Sequence, residues 1–428
     1  MTLTAMPKYE AYWDSKIEWI GDIPKEWELT KLGACLTPVS IKNRPDLPLL
    51  SITRELGVIE RDIEDQDSNH NFIPDDLSGY KVIESGQFGM NKMKAWQGSY
   101  GVSKYTGIVS PAYYVFKFEK DIDPDFFHWA IRSHLYISFF ASASDGVRIG
   151  QWDLSKDRMK EIPFVYPQKS TQTAIANFLD AKTTQIDEAI AIKEQQIALL
   201  NERKQILIQQ AVIKGLNQNV PMKKSGVDWV GDIPEHWSLQ PGFIVFNENK
   251  KSNKGMIESQ VLSLSYGKII VKAKEKLNGL VPESFETYQV VSPGNIIIRC
   301  TDLQNDKTSL RTGFVKNHGI ITSAYLCLNI SLEQNAEYIH YFLHALDVCK
   351  EIYRYGSGLR QSLSFSDFKR MLVITPPIEE QDQIVTFIRE QEENIMSAVE
   401  LLKAQIEKLT EYKKSLIHSA VTGNIKVV

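Results

Sequence analysis

The segment Ile17-Glu18-Trp19-Ile20-Gly21-Asp22-Ile23-Pro24 returns as Val227-Asp228-Trp229-Val230-Gly231-Asp232-Ile233-Pro234, and Trp27 returns as Trp237 at the same offset of 210. The correspondence runs on. Tyr80, Val82, Ile83 and Gly86 match Tyr288, Val290, Val291 and Gly294. Gly107-Ile108-Val109-Ser110 with Ala112-Tyr113 matches Gly319-Ile320-Ile321-Thr322 with Ala324-Tyr325. A chain of 428 residues is long enough for more than one core, and this repeat makes it two copies of one unit.

Each copy has two parts of different character. The first reads as mixed α/β, with β-branched and aromatic runs such as Ala112 to Phe118 or Asn295 to Arg299 broken by Gly, Pro and Asn turns. The second begins after Pro167 and again after Pro376-Pro377, a rigid lead into a helix. From there about forty residues without proline or glycine run to Gly215 and Gly423, which are helix stop signals. Ile186, Ile190, Lys193, Ile197, Leu200, Lys204, Leu207 and Ala211 step alternately by four and three. Ile395, Val399, Leu402, Ile406, Leu409, Lys413, Leu416 and Ala420 repeat those steps at offset 209.

Two matched apolar seams predict that the long helices pack on each other as a coiled coil. Because a whole α/β domain separates two duplicated helices, the pairing is expected to be antiparallel with pseudo-twofold symmetry. The alternative is that each helix caps its own domain and never meets the other. The expected division is a first α/β domain at 1–168, a first helix at 169–216, a second α/β domain at 217–378 and a second helix at 379–428. Lys204 and Lys413 stand where apolar residues would pack better. They either set register or, the plainer expectation, let their stems snorkel and their ammonium groups stay wet.

Composition narrows the function. No run of about eighteen apolar residues occurs, and Met1 to Trp13 lacks the apolar core of a secretory signal, so a cytoplasmic protein away from membranes is expected. Cys35, Cys300, Cys327 and Cys349 are far apart, without metal-ligand spacing. The chain has no G-x-x-x-x-G-K-[ST] loop, no strand-linked G-x-G-x-x-G, no H-E-x-x-H and no G-x-S-x-G. His340 and His344 sit at helical spacing, but the first copy has no such pair, so core or solvated histidines are expected rather than a metal site. Two working enzyme halves would show catalytic residues twice. None recur, so a binding protein with no catalytic residue, metal or cofactor of its own is expected.

The net charge of −4 does not announce a nucleic-acid binder, so any cationic surface must be local. Residues 1–168 carry −5 and residues 217–378 carry +3. Lys250 to Lys276, which includes Lys268, holds seven lysines against two glutamates, either a solvated face or a phosphate-tracking loop. Asn91 to Tyr105 carries Lys92, Lys94, Trp96 and Lys104 with no carboxylate, as a loop along a DNA backbone would. Its loose counterpart, Arg299 to Asn317, carries Arg299 and Arg311. The loop Gly146 to Trp152 offers Arg148 and Gln151, and the matching Gly356 to Ser362 offers Arg360 and Gln361. Arg and Gln have the bidentate geometry that suits guanine and adenine edges in the major groove.

These features come in one order, given twice: an Ile-Pro-x-x-Trp opening, a Gly-Ile-Val-Ser-Pro-Ala-Tyr strand at Gly107 to Tyr113, a Gly-Val-Arg-Ile-Gly-Gln-Trp loop, and a proline-led Gln-x-x-Ile-x-x-Phe helix start (Gln172 to Phe178, Gln381 to Phe387). An Ala-Val-x-x-Gly close follows at Ala211 to Gly215. In that order the whole chain resembles the specificity subunit of Type I restriction–modification enzymes. The second copy departs at Ser323, where the first has Pro111, and at Ala420 to Gly423, one residue shorter.

The resemblance implies two α/β target-recognition domains separated by two long antiparallel coiled-coil helices, each domain reading one half of a split, asymmetric site in double-stranded DNA. It implies two methylation subunits and restriction subunits with an ATP-driven motor as partners, which would hold S-adenosylmethionine, ATP and Mg. This chain would be non-catalytic. The runner-up is a scaffold that binds no DNA and carries two duplicated protein-interaction domains.

Overall fold

The computed structural model describes residues 6–62, 73–119, 121–146, 152–272, 284–301, 310–355 and 363–427. The chain divides into two compact units, one of Met1–Lys193 with Lys403–Val428, the other of Glu194–Leu402.

In the first unit a four-stranded antiparallel sheet orders Leu36–Val39, Tyr114–Phe118, Phe88–Met90 and Tyr100–Val102. In the second the same order recurs as Phe246–Glu248, Tyr325–Ile330, Ile296–Arg299 and Thr312–Phe314. The smaller pairs are duplicated too. Lys81–Ile83 with Gly107–Val109 answers to Gln289–Val291 with Gly319–Ile321, and Glu28–Lys31 with Pro163–Tyr166 answers to Ser238–Pro241 with Leu372–Thr375. The repeated Gly107 and Gly319 have a steric cause. A Cβ on Gly107 would stand 2.5 Å from the Pro48 carbonyl oxygen, and one on Gly319 would stand 2.5 Å from that of Gln260.

One topology is filled by two chemistries. The first head packs aromatic rings, with Phe88 on Phe116 at 6.0 Å and Phe127 on Phe164 at 5.1 Å between centroids. Around its sheet the second packs mainly aliphatic groups, Ile296, Ile298 and Leu328, under Tyr338 and Phe342. Each head then supplies a helix whose cap is polar and local. Asp123 accepts from the N–H groups of Asp125 and Phe126 to open Pro124–Ile131, and Asn335 accepts from Glu337 and Tyr338 to open Ala336–Val348.

The long helices are Lys169–Lys214 and Ile378–Val421. They meet, antiparallel. In the first unit Ile186 shares a core with Leu416 and Ala420, with Ile190 and Leu409 at its margin. In the second, Ile208 and Ala211 share a core with Ile384 and Ile388. Every seam residue expected from the sequence is buried or half-buried, including Ile197, Leu200, Leu207, Ile395, Val399, Leu402 and Ile406.

The seam lysine Lys413 departs from the snorkelling expectation. Its ammonium bonds both oxygens of Asp187 on the other helix, at 2.7 and 2.6 Å, while Lys193 donates to Gln405 Oε1 at 2.6 Å. The chosen register is therefore also a polar one.

Each helix ends at its expected glycine in the left-handed region, Gly215 at φ +73° and Gly423 at φ +75°. Gly215 lies against Trp237, at the start of the second head. Gly423 lies against Pro24 and Trp27 of the first head, where its carbonyl accepts from the Tyr12 hydroxyl at 3.1 Å. The segment around Gly423 thus completes the first head.

Candidate nucleic-acid interface

The stretch Asn91 to Tyr105 is not one loop. Phe88 pairs with Val102 and Met90 with Tyr100, so a buried strand crosses its middle. Lys92, Lys94 and Trp96 therefore stand at one end of this strand pair, and Lys104 lies beyond the other, beside the helix that carries Asp125 and His128. The four residues do not form a single track.

At the Lys92 end the structure does gather several groups. Lys92 Nζ bonds Asp153 at 2.8 Å, its carbonyl accepts from Leu154 at 3.1 Å, and Trp96 tilts against Trp152 with ring centroids 5.1 Å apart. Ser144–Asp145 pairs with Asp153–Leu154, and Arg158 bridges to Asp145. These contacts fix both ends of the connection that carries Arg148 and Gln151. Arg148 and Gln151 themselves lie outside the described residues, as do Arg360 and Gln361. Lys94 is exposed.

A second cationic group joins them. Lys81 Nζ lies 5.9 Å and Lys156 Nζ 6.0 Å from the centre of the Tyr114 ring, and Lys81 also donates to the Tyr113 carbonyl at 2.6 Å. Burial, together with the neighbouring charges of Lys42, Lys156 and Lys92, holds Lys81 below the ordinary lysine range. This cluster has no sequence signature, because residues 42, 81, 92 and 156 converge only in the folded head.

In the second head Lys268 is exposed beside the hairpin turn Tyr266-Gly267, and Arg299 is half-buried on its strand. Arg311 departs from the expectation of a DNA contact. It is fully buried, and its guanidinium donates to the carbonyls of Arg299 and Thr301 and to the Tyr353 hydroxyl, with its carbon 5.3 Å from the Tyr353 ring centre. Five fixed donors suit such a multi-acceptor pocket, so here the side chain serves the core.

Gln172 and Gln381, noted in the sequence only as helix starts, have a matched positioning role. Both are buried. Gln172 accepts from the Asp123 N–H at 2.8 Å and donates to the Pro167 carbonyl at 2.8 Å, while Gln381 accepts from Asn335 at 2.9 Å and donates to Pro376 at 2.8 Å. Each glutamine locks the start of a long helix to the cap of its head's own helix.

Among the described residues no group of three His, Cys, Asp or Glu side chains could hold a metal ion, and no helix is long and apolar enough to cross a membrane. His340 and His344 face each other with ring centres 6.1 Å apart. Burial pushes His340 down to about 3 and His344 to about 4. An unfolded histidine titrates near 6.5, so at lower pH the unfolded chain takes up protons that the folded one refuses. Stability from these rings is intact above about pH 6.5 and falls as pH drops toward 4, by up to about 1.4 kcal/mol per pH unit for each ring. Hydrogen exchange in Ala336–Val348 should accelerate between pH 7 and 5 once corrected for intrinsic rates. His340→Phe should remove about half of that change, and an unchanged pH response would refute the assignment.

Geometry defines the class first. This is a tandem duplication in which each unit joins one mixed α/β head to one end of the first long helix and the opposite end of the second. No family model matches the chain. It is similar to a Methanocaldococcus jannaschii protein provisionally named the specificity subunit of the type I restriction enzyme MjaX, with 22% identity over 445 residues spanning 95% of this chain and 96% of that one. Two solved structures share the fold. One, from work on complex assembly and conformational transition of a type I restriction–modification system, gives a TM-score of 0.66 at 14% identity over 93% of this chain and 98% of that one. The other, the HsdS subunit of Thermoanaerobacter tengcongensis, gives 0.54 at 15% identity over 94% and 98%. The chain thus resembles Type I specificity subunits in fold throughout and weakly in sequence.

Proposed function

We propose that this chain is the non-catalytic DNA-recognition subunit of a Type I restriction–modification assembly. Each α/β head, taken as residues 1–168 and 217–378, reads one half of a bipartite, asymmetric site. One observation carries the reading: the same head topology occurs twice on one antiparallel helix pair, a fold shared with the HsdS subunit over 98% of that chain. In the first head Arg148 and Gln151 would read bases, and the connection that carries them leaves from and returns to the strand pair Ser144–Asp145 and Asp153–Leu154, beside Lys92 and Trp96. Lys104 would meet DNA separately. In the second head Arg360 and Gln361 would read bases, with Lys268 and Arg299 toward the backbone.

The methylation subunits would dock along the outer faces of the long helices. Ile192, Leu199 and Ile206, seven residues apart, are exposed there as a second apolar stripe outside the seam. Those subunits would supply S-adenosylmethionine, and the motor subunits ATP and Mg.

The helix pair would act as a ruler. The seam from Ile186 to Ala211 has 26 residues, or about 39 Å at 1.5 Å each, close to one DNA turn of about 34–36 Å. Adding one heptad to both helices, about 10 Å, should lengthen the preferred gap between half-sites by about 3 base pairs. The test is selection by the assembled complex from duplexes with randomised half-sites and spacers. An unchanged gap would remove the ruler. Absence of any sequence preference in the wild-type assembly would remove the function.

A further inference from the structure

The two heads can be aligned position by position through their hydrogen bonds. Lys81 and Gln289 open equivalent strands, and each side chain donates to the same carbonyl of the repeat, Tyr113 at 2.6 Å and Tyr325 at 2.7 Å. Ile41 and Lys251 accept from Val82 and Val290, each at 2.8 Å, so Lys42 corresponds to Ser252. Lys92 and Cys300 accept from Leu154 and Leu363, at 3.1 and 3.0 Å, which equates Lys92 with Cys300 and Lys156 with Phe365. Tyr114 opposes Met90 as Leu326 opposes Ile298. Four lysines, two of them over the Tyr114 ring and all within electrostatic reach of Lys81, therefore stand where the second head has serine, glutamine, cysteine and phenylalanine beside Leu326.

Charge crowding of this kind costs free energy unless something relieves it. Lys92 has Asp153. Among the described residues no carboxylate lies within ion-pairing distance of Lys42, Lys81 or Lys156. Lys81 does a structural task that the second head entrusts to a neutral glutamine, so that task does not explain the charge. The cluster also adjoins the fixed base of the Arg148 and Gln151 connection, because Lys92 and Lys156 flank its returning strand.

We propose that Lys42, Lys81, Lys92 and Lys156 form a phosphate-binding site for the backbone of duplex DNA, with no counterpart at the matching positions of the second head. The first half-site is then held at backbone positions that the second head does not use, since the lysines of the second head, such as Lys251, Lys254 and Lys268, stand at other positions of the repeat. This rests on the proposed DNA-recognition function and goes beyond it by making the two heads unequal in how they hold DNA.

The test compares the full chain, assembled with its methylation subunits, as wild type, as Lys81→Gln, and as Lys42→Ser with Lys81→Gln and Lys156→Gln. Affinity for the selected duplex and for a random duplex is measured across salt concentrations. If each lysine neutralises one phosphate, the slope of log affinity against log salt should shrink by about 0.9 for Lys81→Gln and about 2.7 for the triple variant, alike on both duplexes. Lys81→Gln retains the bond to Tyr113 on the precedent of Gln289, so it decides the matter should the triple variant not fold. Wild-type slopes in both variants, with site preference intact, overturn the phosphate site and leave the DNA-recognition function standing. A wild-type assembly with no duplex preference overturns both.

Discussion

Removing residues 420–428 is expected to unfold the first head while the second remains native. Ala420, Val421 and Ile425 lie in the first core, at most 4% exposed, and Gly423 lies against Trp27. Lys426 donates its backbone N–H to the Pro7 carbonyl at 2.7 Å, and Gly423 accepts from Tyr12. Burial of one valine and one isoleucine side chain is worth about 1.5–3 kcal/mol each. With the uncovered indole added, the loss is about 5 kcal/mol, the lower bound of a whole domain's stability. None of these residues belongs to the second unit. Hydrogen exchange should show Phe88–Met90 and Tyr114–Phe118 unprotected and Ile296–Arg299 still protected. Protection in both sheets would mean that the chain's end is dispensable.

Arg311→Ala should destabilise the second head by about 3 kcal/mol or more. The substitution removes the charged donor to the Arg299 and Thr301 carbonyls and leaves a side-chain-sized cavity beside Tyr353, changes that together cost about 3 kcal/mol or more. It also deprives Asp347, a carboxylate whose pKa burial already raises, of a neighbouring cation. Arg311→Lys restores the charge but not the planar fork, so it should recover less than half the loss. Denaturant unfolding of the second unit measures this. An Arg311→Ala chain of wild-type stability and reduced DNA affinity would instead return this residue to the nucleic-acid surface.

Much of the architecture was legible in the sequence because it rests on repetition. The octapeptide at Ile17 and Val227, the 4-3 steps from Ile186 and Ile395, and the glycines at 215 and 423 are local signals, and the helix pair follows from them. The candidate site was less legible. Asn91 to Tyr105 looked continuous because Tyr100–Val102, three residues long, is too short to show an alternating pattern. Arg311 looked like a surface cation because nothing nearby in sequence announces the carbonyls and the Tyr353 ring that enclose it. The lysines at 42, 81, 92 and 156 had no common signature, since they lie far apart in sequence and only the folded head brings them around Lys81.

The contact of Gly423 with Trp27 also bears on how the protein is made. Domains emerging from a ribosome ordinarily fold in the order of their synthesis. Here the first head lacks part of its core until residues 403–425 have been made, whereas the second head is complete once Leu402 has been added. The earlier-born half is therefore the later to mature, waiting through more than two hundred codons with its indole uncovered.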